Sequence, residues 1–264
     1  MNIFKRVLCV GFFILVLMSF MKSESNQSKI KYMKFHNQTI LRGVIRNVQR
    51  YIVRKHNKFR SVVKPAASNM LRMRWHVGAA KSAQNWANQC MFLTHDDSKG
   101  RNDKNYGACG QNIFVSTHPV QWLFAMRTWF AEKKYFTYGS TKNNLKLVGH
   151  YTQMVWATSQ FVGCGFAKCD KNSGFPGKST YYNYVCNYCP SGNKQGKIGL
   201  PYKSGKSCGI CPNSCKEKLC TNGCPFSNVY SNCDDLYKNH THFVCHTLGN
   251  QCKSTCKCKG RIYE

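Results

Sequence analysis

The placing of seventeen cysteines limits this chain more than any other feature of it. Six fall between Cys90 and Cys189 and ten crowd between Cys208 and Cys258, while Cys9 stands apart near the N-terminus. Setting Cys9 aside leaves sixteen, an even number, as an oxidised and fully paired framework requires. Lys5 and Arg6 precede an almost unbroken apolar run from Val7 to Met21, and small polar residues follow at Ser23 and Ser25. That is the layout of a signal peptide, expected over residues 1–23. The run is short for a membrane span, and no later stretch is expected to be a transmembrane segment. A secreted, extracellular protein is therefore expected. In that setting Cys186-x-x-Cys189 and Cys208-x-x-Cys211 read as disulfide cysteines rather than zinc or redox pairs.

The second constraint is charge. The chain carries 39 basic residues against 10 acidic ones, a net +29, and none of the acidic residues lies between Ser25 and His95. A helix is expected from Ile40, because Leu41, Val44, Ile45, Val48 and Ile52 recur at spacings of three and four. Arg42, Arg46, Arg50 and Arg54 step at four along another face. This row is a candidate polyanion site, or simply the wetted side of an amphipathic helix. A positive field favours anionic partners. For an exported protein these are sulphated glycans, anionic lipid or an acidic channel mouth, and nucleic acid is not expected. A solvated surface without a specific partner is the plainer alternative. Asn26, Asn37 and Asn239 begin glycosylation sequons.

Residues 24–39 read as a flexible basic tail. Pro65 is expected to break the first helix, and Leu71 to Cys90 to resume it, with Trp75, Ala79, Ala83, Trp86 and Ala87 as core. Ile113–Val115 reads as a strand and Val120–Ala131 as a helix. Phe161–Cys169 and Tyr181–Asn187 alternate as strands, joined by a hairpin at Gly174, Pro176 and Gly177. Strands interleaved with helices point to an α+β domain whose helices cover a sheet. After Pro190 comes a glycine-rich linker poor in apolar residues. Cys208–Cys258 holds too few aliphatics for a core, so disulfides must supply its stability.

Four short elements carry a resemblance. They are His56-Asn57-x-x-Arg60, Gly110-Gln111-Asn112-Ile113-Phe114, Gly149-His150-Tyr151-Thr152-Gln153-Met154-Val155-Trp156, and Tyr184 to Asn193. Together they resemble the signatures of the CAP superfamily, except that Gln111 stands where the family has Glu. The ten-cysteine tail is similar to that of its cysteine-rich secretory (CRISP) branch. The resemblance runs from about Ile40 to Cys258. It implies an α-β-α sandwich over residues 40–200, a hinge over 201–221, an ion-channel-regulator module over 222–258 and a tail over 259–264. It implies the pairs Cys90–Cys169, Cys109–Cys189 and Cys164–Cys186 in the large domain. In the hinge it implies Cys208–Cys215 and Cys211–Cys220, and in the tail Cys224–Cys258, Cys233–Cys252 and Cys245–Cys256.

It also implies a cleft lined by His95, Gln111, Glu132 and His150. His95, His150 and Glu132 are the candidate metal ligands, with zinc expected to be weakly held because Gln111 brings no charge. A structural, hydrogen-bonded cleft is the alternative. The resemblance implies a non-enzymatic protein that binds an ion channel or other cell-surface protein through its tail. Phe226, Tyr230, Tyr237, Lys238 and Phe243 are the contact candidates there, although any one aromatic can equally pack on the disulfides. A sperm-surface role in sperm maturation or gamete interaction is the second reading. A metal-dependent hydrolase is the remote one, with no His-Glu-x-x-His or Gly-x-Ser-x-Gly pattern to support it.

Overall fold

The computed structural model describes residues 45–170, Gly174 and residues 180–263. The expectations for residues 1–39, Arg42, Pro176 and Gly177 lie outside the described residues. Helix α1 is Arg46–Arg60, and it buries Val48, Ile52, His56, Asn57 and Arg60. It closes at Ser61, whose N–H reaches the Asn57 carbonyl, well before Pro65. The Arg60 guanidinium is fully buried without a carboxylate. Its five N–H groups donate to the carbonyls of Leu71 (twice), Met154, Trp156 and Ala157, at 2.7 to 3.0 Å. A buried carbonyl without a donor costs ~1–3 kcal/mol. One cation therefore ties together the backbone of two separate segments, at Leu71 and at residues 154–157.

The helix expected from Leu71 begins later. Leu71 to His76 is extended instead, and strand β1 (Arg74–Trp75) pairs in parallel with β5 (Phe161–Cys169). The N–H groups of Leu71, Arg74 and His76 donate to Ala157, Gln160 and Val162 at 2.8 to 3.1 Å. The reason is in the residues, since Leu71 and Met73 are buried and alternate with Arg72 and Arg74. Helix α2 (Val77–Gln89) starts only after His76, whose Nδ1 accepts the Ala79 N–H at 3.0 Å. Ala79, Ala83 and Ala87 are buried, whereas Trp75 and Trp86 are only half-buried.

Strands β4 (Gly110–Ser116), β5 and β6 (Tyr181–Cys189) complete a sheet in the order β1-β5-β6-β4, antiparallel except at β1. A minor hairpin joins β2 (Asn102–Asp103) to β3 (Gly107–Ala108). Helix α2 lies against β5 and β6. It comes close enough that a Cβ on Gly163 would sit 2.1 Å from the Ala80 nitrogen, and one on Gly165 2.3 Å from the Gln84 Cα. Helices α1, α3 (Trp122–Ala131) and α4 (Leu145–Met154) cover the other face, where His56 meets Tyr188 and Trp122 meets Tyr184. The domain is an α-β-α sandwich.

The glycine-rich linker is laid down on this body. Ala157 donates to the Pro201 carbonyl at 2.7 Å, Ser68 to Lys203 at 2.8 Å, and Tyr202 is buried. Strands β7 (Cys215–Lys216) and β8 (Leu219–Cys220) form a small hairpin. Cys220 exchanges backbone bonds with Met70 and Arg72 at 2.7 and 2.8 Å. The last residues form three short helices, α5 (Cys233–Asn239), α6 (Thr241–Thr247) and α7 (Lys253–Lys257). Their core is Cys233, Val244 and Cys252, with Leu236, Tyr237 and Leu248 packed against it. Eight disulfides are formed, namely Cys90–Cys169, Cys109–Cys189, Cys164–Cys186, Cys208–Cys215, Cys211–Cys220, Cys224–Cys258, Cys233–Cys252 and Cys245–Cys256.

Candidate functional site

Strand β4 is an edge strand, and its consecutive residues Gln111 and Asn112 point to opposite faces of the sheet. Each fixes one side of a polar cleft. On the side of α2, Gln111 is buried, and its Oε1 lies 2.9 Å from His95 Nδ1 and 3.1 Å from the Asp96 N–H. Its Nε2 donates to Asn187 Oδ1 at 3.0 Å, and Asn187 Nδ2 donates to Ser82 Oγ at 3.0 Å. On the side of α4, Asn112 Nδ2 donates to the His150 carbonyl at 3.1 Å. Glu132, just after α3, receives three bonds. Its Oε1 lies 2.6 Å from His150 Nδ1, and its Oε2 accepts the N–H groups of His150 and Tyr151 at 2.9 and 3.1 Å. The buried Trp129 indole stacks on the His150 ring at 6.2 Å.

These bonds set the tautomers. The amide of Gln111 presents oxygen to His95, so His95 Nδ1 must carry the proton. The Glu132 carboxylate imposes the same on His150. In both rings the Nε2 lone pair is then left for a ligand, the arrangement in which outer groups orient a metal-binding imidazole. Two imidazoles with Nε2 unprotonated are donors of the kind a divalent cation such as zinc takes. Glu132 holds the His150 ring with one oxygen and two backbone N–H groups with the other, which places it as the group that orients His150. Among the described residues, the one group of three potential ligands with atoms within 4.8 Å of one another is Cys208, Cys211 and Cys220. All three are in disulfides. Partial burial pulls the His95 imidazole below the ordinary histidine range. The Gln111 bond opposes that, and the nearby Arg101 charge adds to it. Lower basicity keeps Nε2 free of a proton. Gln111 itself accepts no proton, so the cleft offers no base at that position.

Below the cleft lies a second buried polar group that its sequence pattern did not reveal as such. His56 Nδ1 donates to the Ile52 carbonyl, and His56 Nε2 accepts from the Tyr188 hydroxyl, both at 2.9 Å. Asn112 bonds the same hydroxyl at 3.5 Å, so the buried set reaches the cleft through one residue.

The tail candidates divide. Tyr237 is packed against the small core, and Phe226 is half-buried with the Lys257 ammonium 5.9 Å from its ring centre. Tyr230 and Phe243 remain 47% and 52% exposed, beside Val229 at 72%. Val229 was not among the candidates. Lys238 is exposed and pairs with Asp235 at 2.9 Å. Asn239 is exposed at the end of α5. Of the arginine row, Arg46, Arg50 and Arg54 are exposed on α1.

The comparisons with known proteins follow the same division of the chain. The profile of the CAP, or cysteine-rich secretory protein, family matches residues 53–188, and that of the Crisp family matches residues 208–263. Cysteine-rich secretory protein 2 of Cavia porcellus is 43% identical over 217 residues, 82% of this chain and 85% of its own length. Human cysteine-rich secretory protein 3 is 43% identical over 218 residues, again 82% of this chain and 85% of its own. Among solved structures, NaASP2 with Zn2+ superposes with a TM-score of 0.55 at 27% identity, covering 67% of this chain and 96% of that one.

Proposed function

The chain belongs to the cysteine-rich secretory protein family, with both its CAP and its Crisp part, and from that premise we propose that it is a secreted, non-enzymatic modulator of cation channels. The tail is the part that touches the channel. One observation carries this reading. Val229, Tyr230 and Phe243 stay exposed on a module whose own core has almost no apolar residues to spare. Their apolar area is the part of the module that a partner can bury. Three disulfides hold the module, so little conformational entropy is lost on docking. Aromatic anchors of this kind dominate binding energy where they are buried by a partner. Secretion is supported by the names of the relatives and by the even set of paired cysteines. Among the described residues, no helix is long and apolar enough to cross a membrane.

The cleft serves a different purpose in this reading. His95 and His150 hold a divalent cation such as zinc through their Nε2 atoms, as ligands and not as catalysts. The cation would tie the two faces of the sheet edge together, and would supply Lewis acidity without a neighbouring base at position 111 to use it. The test is whole-cell recording from voltage-gated calcium, potassium and sodium channels with the full oxidised protein. Block by the native protein that is lost in Tyr230→Ser and Phe243→Ser, with unchanged thermal melting, is expected. Equal block by these variants, or no block on any channel, would overturn the assignment to the tail.

A further inference from the structure

A net charge of +29 finds no use in the tail or in the histidine cleft. The fold concentrates part of it. Helix α1 presents Arg46, Arg50 and Arg54 at spacings of four. Strand β1 lies in contact with α1, and its approach segment turns Leu71 and Met73 inward, which leaves Arg72 and Arg74 outward. A groove of about 510 Å³ is lined by Arg46 and Arg50 from the helix and by Arg72, Arg74 and Trp75 from the strand. At Arg72 it adjoins a second concavity of about 420 Å³, lined by Arg54 and Lys58 and by Lys218 of the hinge.

Seven cations thus line two adjoining concavities, against a single acid. That acid is Glu217, which Arg72 engages at 2.6 Å. Among the described residues, Arg46, Arg50, Arg54 and Arg74 have no carboxylate partner. Gathering like charges without counter-charge costs energy that a bound anion recovers. Guanidinium forks match the paired oxygens of a sulphate as they match carboxylate and phosphate. Two rows with a trough between them suit a linear chain with anionic groups on both sides. A planar lipid surface would meet a projecting face instead, and Val62 is the one well-exposed large apolar side chain available for insertion here. We propose that the trough between α1 and the extended segment 71–75, continued along the hinge at Lys218, is a binding site for a linear sulphated polysaccharide.

The test uses the full protein and heparin-derived dodecasaccharides, with desulphated chains, phosphatidylserine vesicles and single-stranded DNA as competitors. Removing the groove cations in Arg46→Gln/Arg50→Gln/Arg72→Gln/Arg74→Gln is expected to weaken binding at least ~tenfold and to lower the slope of log affinity against log salt by ~3. A charge-matched control, Lys104→Gln/Lys142→Gln/Lys146→Gln/Lys203→Gln, alters exposed cations elsewhere and should leave most of the affinity. Glu217→Gln removes the opposing charge and frees Arg72, so it should tighten binding severalfold, a gain that misfolding cannot imitate. Equal losses in the groove and control variants, or affinity that survives desulphation, would overturn the proposal. So would groove-dependent binding to vesicles or DNA tighter than to the sulphated chain.

Discussion

Acidification from pH 7 to pH 5 should cost the native state ~2 kcal/mol through one residue, His56. Complete burial pulls its imidazole down to about 4 from the usual 6.5, with the bond to Ile52 opposing the fall and the Arg60 charge adding to it. The geometry agrees, because Nδ1–H donates to the Ile52 carbonyl and the Tyr188 hydroxyl donates to Nε2, which leaves no place for a second proton. A folded value below the unfolded one means that the native state binds fewer protons in the window between them. Stability is therefore intact above about 6.5 and falls as the pH drops toward about 4. At pH 5 the unfolded chain is almost fully protonated at this residue and the native chain on roughly a tenth of molecules. Integration over the two pH units gives the ~2 kcal/mol. The assay is guanidinium chloride unfolding with disulfides intact, at both pH values, for the native chain and His56→Gln. An amide can make both bonds but does not titrate. His95 shifts in the same direction but is common to both proteins, so it cancels. The native chain should lose ~2 kcal/mol more than the variant. Equal losses would refute the buried, neutral His56.

Two further outcomes follow from close contacts. Gly165→Ala places a methyl 2.3 Å from the Gln84 Cα and forces α2 off the sheet, costing ~3 kcal/mol or more in thermal melting. Gln111→Glu puts a carboxylate against His95 Nδ1, which should raise the His95 pKa in an NMR titration and tighten zinc ~tenfold in calorimetry. Its new oxygen also faces Asn187 Oδ1, so a parallel loss of stability is expected.

The sheet was legible because Phe161–Cys169 and Tyr181–Asn187 alternate, and the covering helices because their apolar residues recur. Strand β1 was missed although Leu71-Arg72-Met73-Arg74-Trp75 also alternates, since the helical pattern that follows from Ala79 was extended backwards over it. That error hid Arg72 and Arg74, and with them half of the arginine groove, and it turned Trp75 into a core residue. The cleft was legible only by resemblance. Its four residues come from the loop after α2, an edge strand, the end of α3 and α4, and no spacing within the chain brings such segments together. The seating of the linker was not legible, because its few apolar residues give no pattern to read. Its order comes from backbone bonds to Ala66, Ser68 and Ala157, which leave no mark in composition.

Those backbone bonds have a mechanical consequence. The described residues from 45 to 263 fall into one compact unit, with the Cys215–Cys220 hairpin sewn to Met70 and Arg72. Lys218 of that hairpin reaches the arginine trough, while the same short chain leads on to the tail. A molecule parked on an extracellular polymer would therefore hold its tail at a set reach, like a tool on a fixed arm, rather than swinging it on a tether. For a target within that reach, each encounter would count as intramolecular, and the apparent grip on a channel would rise with the density of the polymer around it.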